Sequence, residues 1–353
     1  MTASHPTSRN YVLVLGGGGI RGLAHVGVLE ALDEARFLPS EVVGSSVGAI
    51  VAAGWCAGMG IEEMRQLALE IERRDLFQVA HRDMALKRMR SPGLYRREPI
   101  EHFVTGVLGD ITFDELDHPL LVNTVDIDTG TQVLWGLPGL RDIPVADAVI
   151  ASCALPGFLP PHQIRDRHYV DGAAVANLPV DVAAPRGRDL VIGVDVSGRQ
   201  GRAHAFLGEG FAAIYARAIE IGMERIDGEA LRHWQRPPLV LLRPAVWHVP
   251  LLSFRHNEEL LDAGYHAART WLSHPDEMPA PDARGVFPRH RYHVSVDRAT
   301  CVGCGVCVTA EPGLFRFDET GKAVVTNPEP VWSPVDGLVV GRCPVTAISA
   351  KRI

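Results

Sequence analysis

Two groups of residues in this 353-residue chain have types and spacing suited to chemistry. In the N-terminal half, Gly44-Ser-Ser-Val-Gly48 has the G-x-S-x-G form of a turn that presents a nucleophilic serine. Near the other end, the motif Cys301-x2-Cys304-x2-Cys307 precedes a distant Cys343. The first pattern indicates nucleophilic catalysis and the second indicates a metal centre.

The serine turn has the flanking sequence that a nucleophile elbow requires. A β-rich run precedes it and a helix-compatible run follows, and glycines two residues before and after the central serine permit a tight turn. Ser46, the central serine, is therefore the candidate nucleophile, and its neighbour Ser45 is not. The alternative is a glycine-rich turn that contains a serine by chance.

A second glycine-rich segment, Gly16–Gly22, follows the strand candidate Tyr11–Leu15. Its Gly17-x-Gly19-x-x-Gly22 spacing satisfies the dinucleotide-binding fingerprint. However, the next strand does not end in the acid that would hold a ribose, and no Gly-Lys-Ser/Thr of a P-loop follows. Exposed amides at a helix N-terminus stabilise either a pyrophosphate or a transient oxyanion, so this loop alone leaves both interpretations open.

A third element, Tyr169-Val-Asp171-Gly-Ala173, places an acid at the end of a short strand, which alone is also typical of a turn. Together, Gly17–Gly22, Gly44–Gly48 and Asp171–Ala173 resemble the three motifs of patatin-like phospholipases, in the family's order. The stretch Ala151–Phe158 resembles the segment that precedes the family's Asp motif. The resemblance is clear over about residues 10–200 and loose over about residues 200–272.

The resemblance implies a lipid acyl hydrolase that uses a Ser–Asp dyad, with Ser46 as nucleophile and Asp171 as base. It would hydrolyse a phospholipid or another fatty-acyl ester through an acyl-enzyme, without a cofactor. An aspartate has an ordinary pKa of about 3.9, so a working base needs a partly desolvated setting. The backbone amides of Gly17, Gly18 and Gly19 would hold the oxyanion. The residues that would support these turns are Arg21, Gly22, Gly44, Gly48 and Gly172.

Histidines offer an alternative to the dyad. An α/β-hydrolase would have a late histidine after its serine and acid, and the sequence has three in that region, none of them in a recognisable motif. They are His248, His256 and His266. We interpret His25, on the first predicted helix, as a packing residue. Arg21 either positions the glycine loop, favours an anionic head group or forms a structural salt bridge.

The C-terminal cysteines predict an iron–sulfur centre. Three cysteines at every third position, followed after 35 intervening residues by Cys343-Pro344, suit a cubane cluster. Zinc is the alternative, although structural zinc more often takes paired knuckles. Residues 290–353 resemble bacterial-type single-cluster ferredoxins, which implies one 4Fe–4S cluster. Its ligands would be Cys301, Cys304, Cys307 and Cys343. Glu311-Pro312 stands where a second cluster would have its cysteine.

Composition limits the remaining function classes. The chain has 35 basic and 42 acidic residues, a net charge of −7, which argues against nucleic acid as the main partner. The first ten residues contain no apolar signal region, and no run of about 18 apolar residues would span a membrane. We therefore expect a cytoplasmic protein, in which the lone Cys56 and Cys153 are buried small hydrophobic residues.

Alternating strand and helix patterns predict the architecture. Strands over Tyr11–Leu15, Leu120–Val125, Leu190–Val194 and Leu239–Leu242 alternate with helical stretches, which favours an α/β fold with a mostly parallel sheet. The resemblance implies a patatin-like three-layer α/β/α sandwich, followed by a small α+β ferredoxin-like domain. The predicted domains are an acyl hydrolase domain at 1–274, a Pro-rich linker at 275–289 and the cluster domain at 290–353.

One segment has the composition of a lipid-contacting surface. His81–Arg97 carries six basic residues against one acid, with apolar residues between them, in a chain that is acidic overall. The basic residues are Arg82, Lys87, Arg88, Arg90, Arg96 and Arg97. Such a segment could rest on anionic lipid at the inner membrane face; the alternative is a solvated loop.

The role of the fusion stays open at this stage. The cluster domain would serve redox sensing, electron transfer or docking to a redox partner, or would only stabilise the small domain. A different class of function is an electron-transfer protein whose glycine loop binds a dinucleotide. The absent ribose acid and the intact serine and aspartate elements argue against it.

Overall fold

The computed structural model describes residues 10–80, 93–197 and 210–353. The chain divides into two compact units, one formed by Met1–Ala230 with Leu242–Pro275 and the other by Leu231–Leu241 with Asp276–Ile353. The predicted limit of the first domain at residue 274 is adjacent to the observed division at Pro275. The segment Leu231–Leu241, which the sequence analysis assigned to the first domain, groups with the C-terminal unit instead.

The elements up to residue 275 alternate between strands and helices. In chain order they are β1 (Tyr11–Leu15), α1 (Ala24–Glu34), β2 (Glu41–Ser45), α2 (Val47–Cys56), α3 (Ile61–Glu70), α4 (Arg73–Leu76), α5 (Glu98–Leu108), β3 (Leu120–Asp126), β4 (Gln132–Trp135), α6 (Val145–Ser152), β5 (His162–Ile164), β6 (Arg167–Asp171), β7 (Leu190–Val194), α7 (Gly210–Arg232), β8 (Leu239–Leu242) and α8 (Asn257–Leu272). Short 3-10 helices include Gly19–Leu23 and Gly172–Ala174.

The centre of the sheet is parallel, in the order β3-β2-β1-β7. β6 joins β3 in the antiparallel sense, with Thr124 opposite Asp171, and β5 and β4 are also antiparallel additions. Because the carboxyl ends of parallel strands lie at one edge of a sheet, the loops after β1 and β2 emerge side by side. The antiparallel β6 delivers its own last residue, Asp171, opposite the later part of β3.

The strands β1, β2, β3 and β7 are buried along their whole length. Residues of a strand point alternately to its two faces, so complete burial means that both faces of the sheet are covered. Helices α1 and α8 pack closely because a glycine of α8 lies against the backbone of α1. A Cβ added at Gly264 would lie 1.8 Å from the Ala24 carbonyl oxygen. The predicted α/β class with a mainly parallel central sheet is confirmed.

The predicted elements agree with the observed ones to within a few residues at their ends. The predicted strands Tyr11–Leu15, Leu190–Val194 and Leu239–Leu242 are confirmed at their predicted bounds. The helical stretches predicted between the strands are present, and the last of them before residue 275 is α8. Helix α7 is described from Gly210 to Arg232, directly after a stretch that lies outside the described residues.

The C-terminal unit is small and rich in β-structure. Its elements beyond residue 275 are β9 (Val286–Phe287), β10 (His290–Val296), α9 (Val306–Ala310), β11 (Phe315–Phe317), β12 (Ala323–Val325), β13 (Val331–Trp332), α10 (Leu338–Gly341) and β14 (Ile348–Arg352). The first and last strands of residues 290–353 form an antiparallel β10–β14 ladder, and β11 and β12 form a hairpin. Within the predicted linker, β9 pairs in parallel with β8, so this stretch is partly ordered as strand.

None of the helices in the described ranges combines the length and apolar character needed to cross a membrane.

Candidate active site

Ser46 occupies the sharp turn between β2 and α2. Its backbone φ is 54° and ψ is −128°, a left-handed conformation that is strained for a residue with a side chain. The flanking glycines have no room for a Cβ, which at Gly44 would lie 2.5 Å from the Ala49 Cα and at Gly48 2.2 Å from the Leu15 carbonyl oxygen. Ser45 is fully buried, whereas Ser46 is half-buried and lines a cavity.

Asp171 ends β6 and is buried next to Ser46. The Ser46 hydroxyl donates a hydrogen bond to its carboxylate, and the Ala173 backbone N–H donates another to Oδ1 at 2.9 Å. Burial raises the pKa of Asp171 to about 7, and these two hydrogen bonds offset that rise only in part. The structure thus brings together the serine and the acid that the sequence analysis selected, 125 residues apart in the chain, in the desolvated setting that a base requires.

The glycine loop differs from expectation at one residue. The Gly17 N–H already donates to the Asn177 carbonyl oxygen at 3.1 Å, and the Asn177 side-chain amide donates back to the Gly17 oxygen at 3.1 Å. The sequence analysis expected Gly17 to offer its amide to an oxyanion. In the structure this amide is already engaged by Asn177. The amides of Gly18 and Gly19 have no acceptor among the described residues, and Gly19 takes a left-handed φ of 56°. Both glycines line the same cavity as Ser46.

Arg21 anchors this loop from a buried position. Its guanidinium donates to the backbone oxygens of Val249 at 2.6 Å, Ser197 at 2.9 Å and Trp247 at 3.3 Å. It also forms an ion pair with Glu220 at 3.7 Å. Burial lowers the pKa of Arg21, and the negative charge of Glu220 opposes that effect. Of the three roles considered, positioning of the loop and a structural ion pair are both present.

The remaining motif glycines make room for close neighbours. A Cβ at Gly22 would lie 2.2 Å from Val47 Cγ1, beside the serine turn, and a Cβ at Gly172 would lie 2.3 Å from Asn123 Nδ2. These positions therefore tolerate only glycine if the serine turn and the acid are to keep their present separation.

Histidines take no part in this site among the described residues. His25 is fully buried, its Nε2 lies 2.7 Å from the Gly16 oxygen, and burial lowers its pKa to about 4. It is therefore neutral and holds the glycine loop, in agreement with a packing role. His248 and His256 both pair with the exposed Glu259, and neither they nor His266 line the cavity.

The sequence analysis did not identify several polar residues that surround the site. Ser152 accepts a hydrogen bond from the Ser46 N–H and donates one to the Asn123 oxygen at 2.7 Å, while Gln132 donates to Asn123 Oδ1 at 2.9 Å. The available signal was Asn123 itself, a polar residue inside the apolar strand run Leu-Leu-Val-Asn. Asn177 carried no comparable signal.

The cavity beside the Ser46 hydroxyl has a volume of about 720 Å³ and a largely apolar lining. This is within the range of small-molecule sites, and its walls offer mainly apolar contact, with a few charged side chains such as Arg73, Arg217 and Glu220. Apolar side chains from α2, α3 and α5 form one side of it. They include Val51, Met64, Leu67, Ile100 and Phe103.

The basic segment His81–Arg97 is described only from Gly93 onward. Arg82, Lys87, Arg88 and Arg90 lie outside the described residues. Arg97 pairs with Glu101 at 2.8 Å, and Arg96 pairs with Glu98 at 3.3 Å. These two arginines thus have acidic neighbours on α5.

In the C-terminal unit, Cys301 and Cys304 lie on the loop that leads into α9, and Cys307 lies in the first turn of α9. Gly303 and Gly305, with φ of 70° and 77°, curl this loop through left-handed turns that favour glycine. Burial raises the pKa of Cys307, and the neighbouring Cys304 and Cys301 raise it further. Cys307 belongs to the unit's apolar core, and Cys301 and Cys343 pack against that core. The Cys343 Sγ accepts a hydrogen bond from the Ala347 N–H at 3.2 Å.

The chemistry of this donor set fits a 4Fe–4S cluster, because it offers four thiols, three of them on the curled loop and the first turn of the helix that follows it. Within the described ranges, no group of three or more His, Cys, Asp or Glu side chains is arranged to hold a metal ion. The other two cysteines, Cys56 and Cys153, are buried as predicted, and burial raises the pKa of both thiols.

Two family models match the chain. The one described as Patatin-like phospholipase matches residues 13–184, and the one described as 4Fe-4S single cluster domain matches residues 294–335. The first range contains Ser46 and Asp171. The second contains Cys301, Cys304 and Cys307 and ends before Cys343.

Curated relatives match the N-terminal part of the chain. An uncharacterized NTE family protein of Mycobacterium tuberculosis is 30% identical over 194 residues, 55% of this chain and 51% of the relative. The protein YqhO of Bacillus subtilis is 30% identical over 209 residues, 53% of this chain and 71% of the relative. Neuropathy target esterase sws of Drosophila melanogaster is 30% identical over 194 residues, 54% of this chain and 13% of the relative. The chain spans about half the length of the mycobacterial relative.

Proposed function

Because this chain belongs to the patatin-like phospholipase family and carries a 4Fe–4S single cluster domain, we propose that it hydrolyses the acyl ester bond of a lipid, with Ser46 as the nucleophile and Asp171 as the base. The domains that the sequence analysis delimited are part of this proposal: the hydrolase at 1–274, the linker at 275–289 and the cluster domain at 290–353.

One observation carries the proposal. The Ser46 hydroxyl donates to a buried carboxylate whose pKa is raised to about 7, and both groups face an apolar cavity of about 720 Å³. A carboxylate with an ordinary pKa would take a proton from a serine far less readily, because a general base works best when its pKa lies near the operating pH.

The reaction uses these two side chains in sequence. Asp171 takes the Ser46 proton while Oγ forms a bond to the ester carbonyl carbon, and the carbonyl oxygen becomes an oxyanion. Collapse of this intermediate breaks the ester C–O bond, and the leaving alcohol takes the proton from Asp171. A water molecule then attacks the acyl-enzyme, gives its proton to Asp171 and releases the fatty acid, after which the proton returns to Ser46.

The oxyanion is stabilised by backbone N–H groups of the glycine loop. The unengaged amides of Gly18 and Gly19 support this role, and each such donor lowers the barrier by about 3 kcal/mol. Gly17 contributes through its paired hydrogen bonds with Asn177, which hold the loop in place. Arg21 and Gly22 position the loop against the serine turn.

The substrate is a phospholipid or another fatty-acyl ester. The apolar lining of the cavity suits an acyl chain, and the printed name of the Drosophila relative, an esterase, agrees with an ester substrate. Contact with a lipid surface through residues 81–97 also belongs to the proposal. Charge reversal at Lys87, Arg88 and Arg90 should then weaken liposome binding while hydrolysis of a soluble ester continues, and unchanged liposome binding would contradict it.

The C-terminal unit would hold one 4Fe–4S cluster on Cys301, Cys304, Cys307 and Cys343. A bound cluster supplies one-electron redox chemistry. Ester hydrolysis transfers no electron, so the cluster would serve sensing, electron transfer or docking of a redox partner. Comparing hydrolysis by oxidised and dithionite-reduced protein tests a sensing role, because equal rates would leave only the other roles or a stabilising one.

The test of the hydrolase is removal of the nucleophile. Ser46→Ala should lower para-nitrophenyl ester hydrolysis by roughly a thousandfold or more, because the acyl-enzyme can no longer form. Ser45→Ala is the matched control, since this neighbouring hydroxyl is buried away from the cavity, and it should keep most of the activity. Unchanged hydrolysis by the Ser46 variant would exclude the dyad, and NADH-dependent cluster reduction without esterase activity would favour a dinucleotide-binding electron carrier.

A further inference from the structure

Gly54 is a glycine in the interior of helix α2 whose presence packing does not explain. It is buried, it lies three residues before Ala57, the C-cap of α2, and it lines the active-site cavity. A glycine inside a helix lowers stability relative to alanine, because it has more conformational freedom to lose on folding. A buried helix position normally has a side chain that fills space.

Space for a side chain exists at this position. A Cβ added at Gly54 would meet only the ends of two flexible side chains, Met59 Sδ at 3.8 Å and Met64 Cε at 3.9 Å, which is ordinary van der Waals contact. At Gly27, by contrast, an added Cβ would lie 1.9 Å from the Leu261 carbonyl oxygen, so close packing requires that glycine. The missing side chain at Gly54 therefore leaves open volume in the cavity instead of permitting a close backbone contact.

Gly54 lies on the same face of α2 as the serine. The residues of this helix and its N-cap that line the cavity are Ser46, Val47, Ile50, Val51 and Gly54. Their spacing of about four and eight residues forms one stripe along the helix. Gly54 is the member farthest from Ser46, and eight residues correspond to about 12 Å along the helix axis.

An acyl chain attached at Ser46 would reach Gly54 after about ten carbon atoms, because an extended chain advances about 1.2 Å per bond. A chain of eight carbons ends before this point, and a chain of sixteen carbons extends past it. The adjoining wall is apolar and adaptable, since Met59 and Met64 have unbranched side chains.

We propose that Gly54 determines acyl-chain length, by keeping the cavity open for fatty-acyl esters with chains longer than about ten carbons. This inference rests on the proposed function, since it assumes that Ser46 receives the acyl group. It identifies the substrate class as long-chain esters and assigns the selectivity to one residue.

The test compares para-nitrophenyl octanoate with para-nitrophenyl palmitate. Gly54→Leu should lower the ratio of kcat/KM for palmitate to kcat/KM for octanoate at least tenfold, because each methylene excluded from apolar contact lowers affinity by about fourfold. Competitive inhibition by free palmitate should weaken in the same variant, which reports on binding without turnover. An unchanged ratio and unchanged palmitate inhibition in folded protein would overturn the inference.

Two further variants keep the test decisive. Gly54→Ala adds a single methyl group that fits the available space, so it should fold even where the leucine variant does not, with a smaller shift of the ratio in the same direction. Gly106→Leu makes the same exchange at an exposed helix glycine with nothing within 4 Å and no part in the cavity, and it should leave the ratio as in the wild type. A shift equal to that of Gly54→Leu in this control would count against the inference.

The outcomes separate this inference from the proposed function. The proposed function fails if the wild type hydrolyses neither ester, or if the Ser46→Ala variant hydrolyses both esters as fast as the wild type does. The inference then fails with it. If hydrolysis depends on Ser46 but every Gly54 variant keeps the wild-type ratio, the hydrolase stands and the role of Gly54 is excluded.

Discussion

The backbone N–H of Ser46 donates a hydrogen bond to the Ser152 hydroxyl at 2.9 Å. Ser152 ends helix α6, and its hydroxyl donates a hydrogen bond to the Asn123 carbonyl oxygen in β3, at 2.7 Å. One fully buried hydroxyl thus joins the strained serine turn to the central sheet. Because a left-handed non-glycine residue persists only where its surroundings hold it, Ser152 is a positioning residue for Ser46.

Ser152→Ala should therefore misplace the nucleophile. We expect kcat to fall about tenfold with little change in KM, and the free energy of unfolding to fall by about 2 kcal/mol, because two buried polar groups lose their partner. Ser40→Ala is a matched control, since it also removes a hydroxyl that donates to a backbone oxygen, that of Tyr11 at 2.8 Å, away from the cavity. A loss of stability in both variants with kcat lowered in neither would contradict the positioning role.

The pKa of Asp171 predicts the pH dependence of hydrolysis. Its pKa is raised to about 7, so the base is protonated at lower pH and cannot accept the Ser46 proton. We expect kcat/KM to fall about tenfold per pH unit below about pH 7 and to level off above it. A pH–rate profile with a soluble ester measures this directly. An acid limb with its midpoint near pH 4, the ordinary range of aspartate, would contradict the raised pKa.

The raised pKa of Asp171 also makes stability depend on pH, but in the opposite direction: activity rises with pH, whereas stability falls. A carboxyl group whose pKa is raised by folding binds its proton more tightly in the native state, so stability falls as pH rises from about 4 to about 7. Asp171→Asn removes this effect and keeps an oxygen that can accept the Ala173 N–H. We expect its stabilisation, measured by urea unfolding, to be greater at pH 8 than at pH 5 by about 2 kcal/mol. Equal effects at the two pH values would indicate that burial does not shift the pKa of this carboxyl.

Arg21 should resist exchange for lysine, despite the equal charge. A lysine ammonium cannot reproduce the planar fork that reaches three backbone oxygens at once. We expect Arg21→Lys to lower the free energy of unfolding by about 2 kcal/mol and to lower kcat, because the glycine loop loses its anchor. Arg65→Lys is the comparison: this half-buried arginine pairs with Glu30 at 3.1 Å, and its exchange should cost less than about 1 kcal/mol. Equal losses would show that the fork is unimportant.

The four C-terminal cysteines should each be needed for cluster assembly. We expect Cys301→Ser, Cys304→Ser, Cys307→Ser and Cys343→Ser to purify with a reduced content of iron and acid-labile sulfide. Each should also destabilise the small C-terminal unit, because a unit of this size depends on its bound group. Cys56→Ala, which alters a buried thiol of the other unit, should keep the full content. A full iron content in Cys343→Ser would exclude this residue as a ligand, and zinc in place of iron would exclude the cluster.

Much of the fold followed from local sequence. β1 and β7 were predictable because a continuous apolar run of five residues, bounded by turn residues, is typical of a buried parallel strand. The serine turn was predictable because Gly44 answers a local steric demand, seen in the 2.5 Å that a Cβ at Gly44 would leave to the Ala49 Cα. The short strand β9 was not predictable, since only its pairing with β8 makes Val286–Phe287 a strand.

The sequence by itself determined which residues of the candidate site have the required chemistry: a serine in a glycine-bounded turn, an acid at a strand end and four cysteines in a cluster pattern. Only the tertiary structure decided how those groups behave. It engaged the Gly17 amide with Asn177, raised the pKa of Asp171 to about 7 and opened a cavity beside Gly54. The reason is physical, because burial and hydrogen bonding depend on segments more than a hundred residues apart in the chain, and no local pattern records which of them will meet.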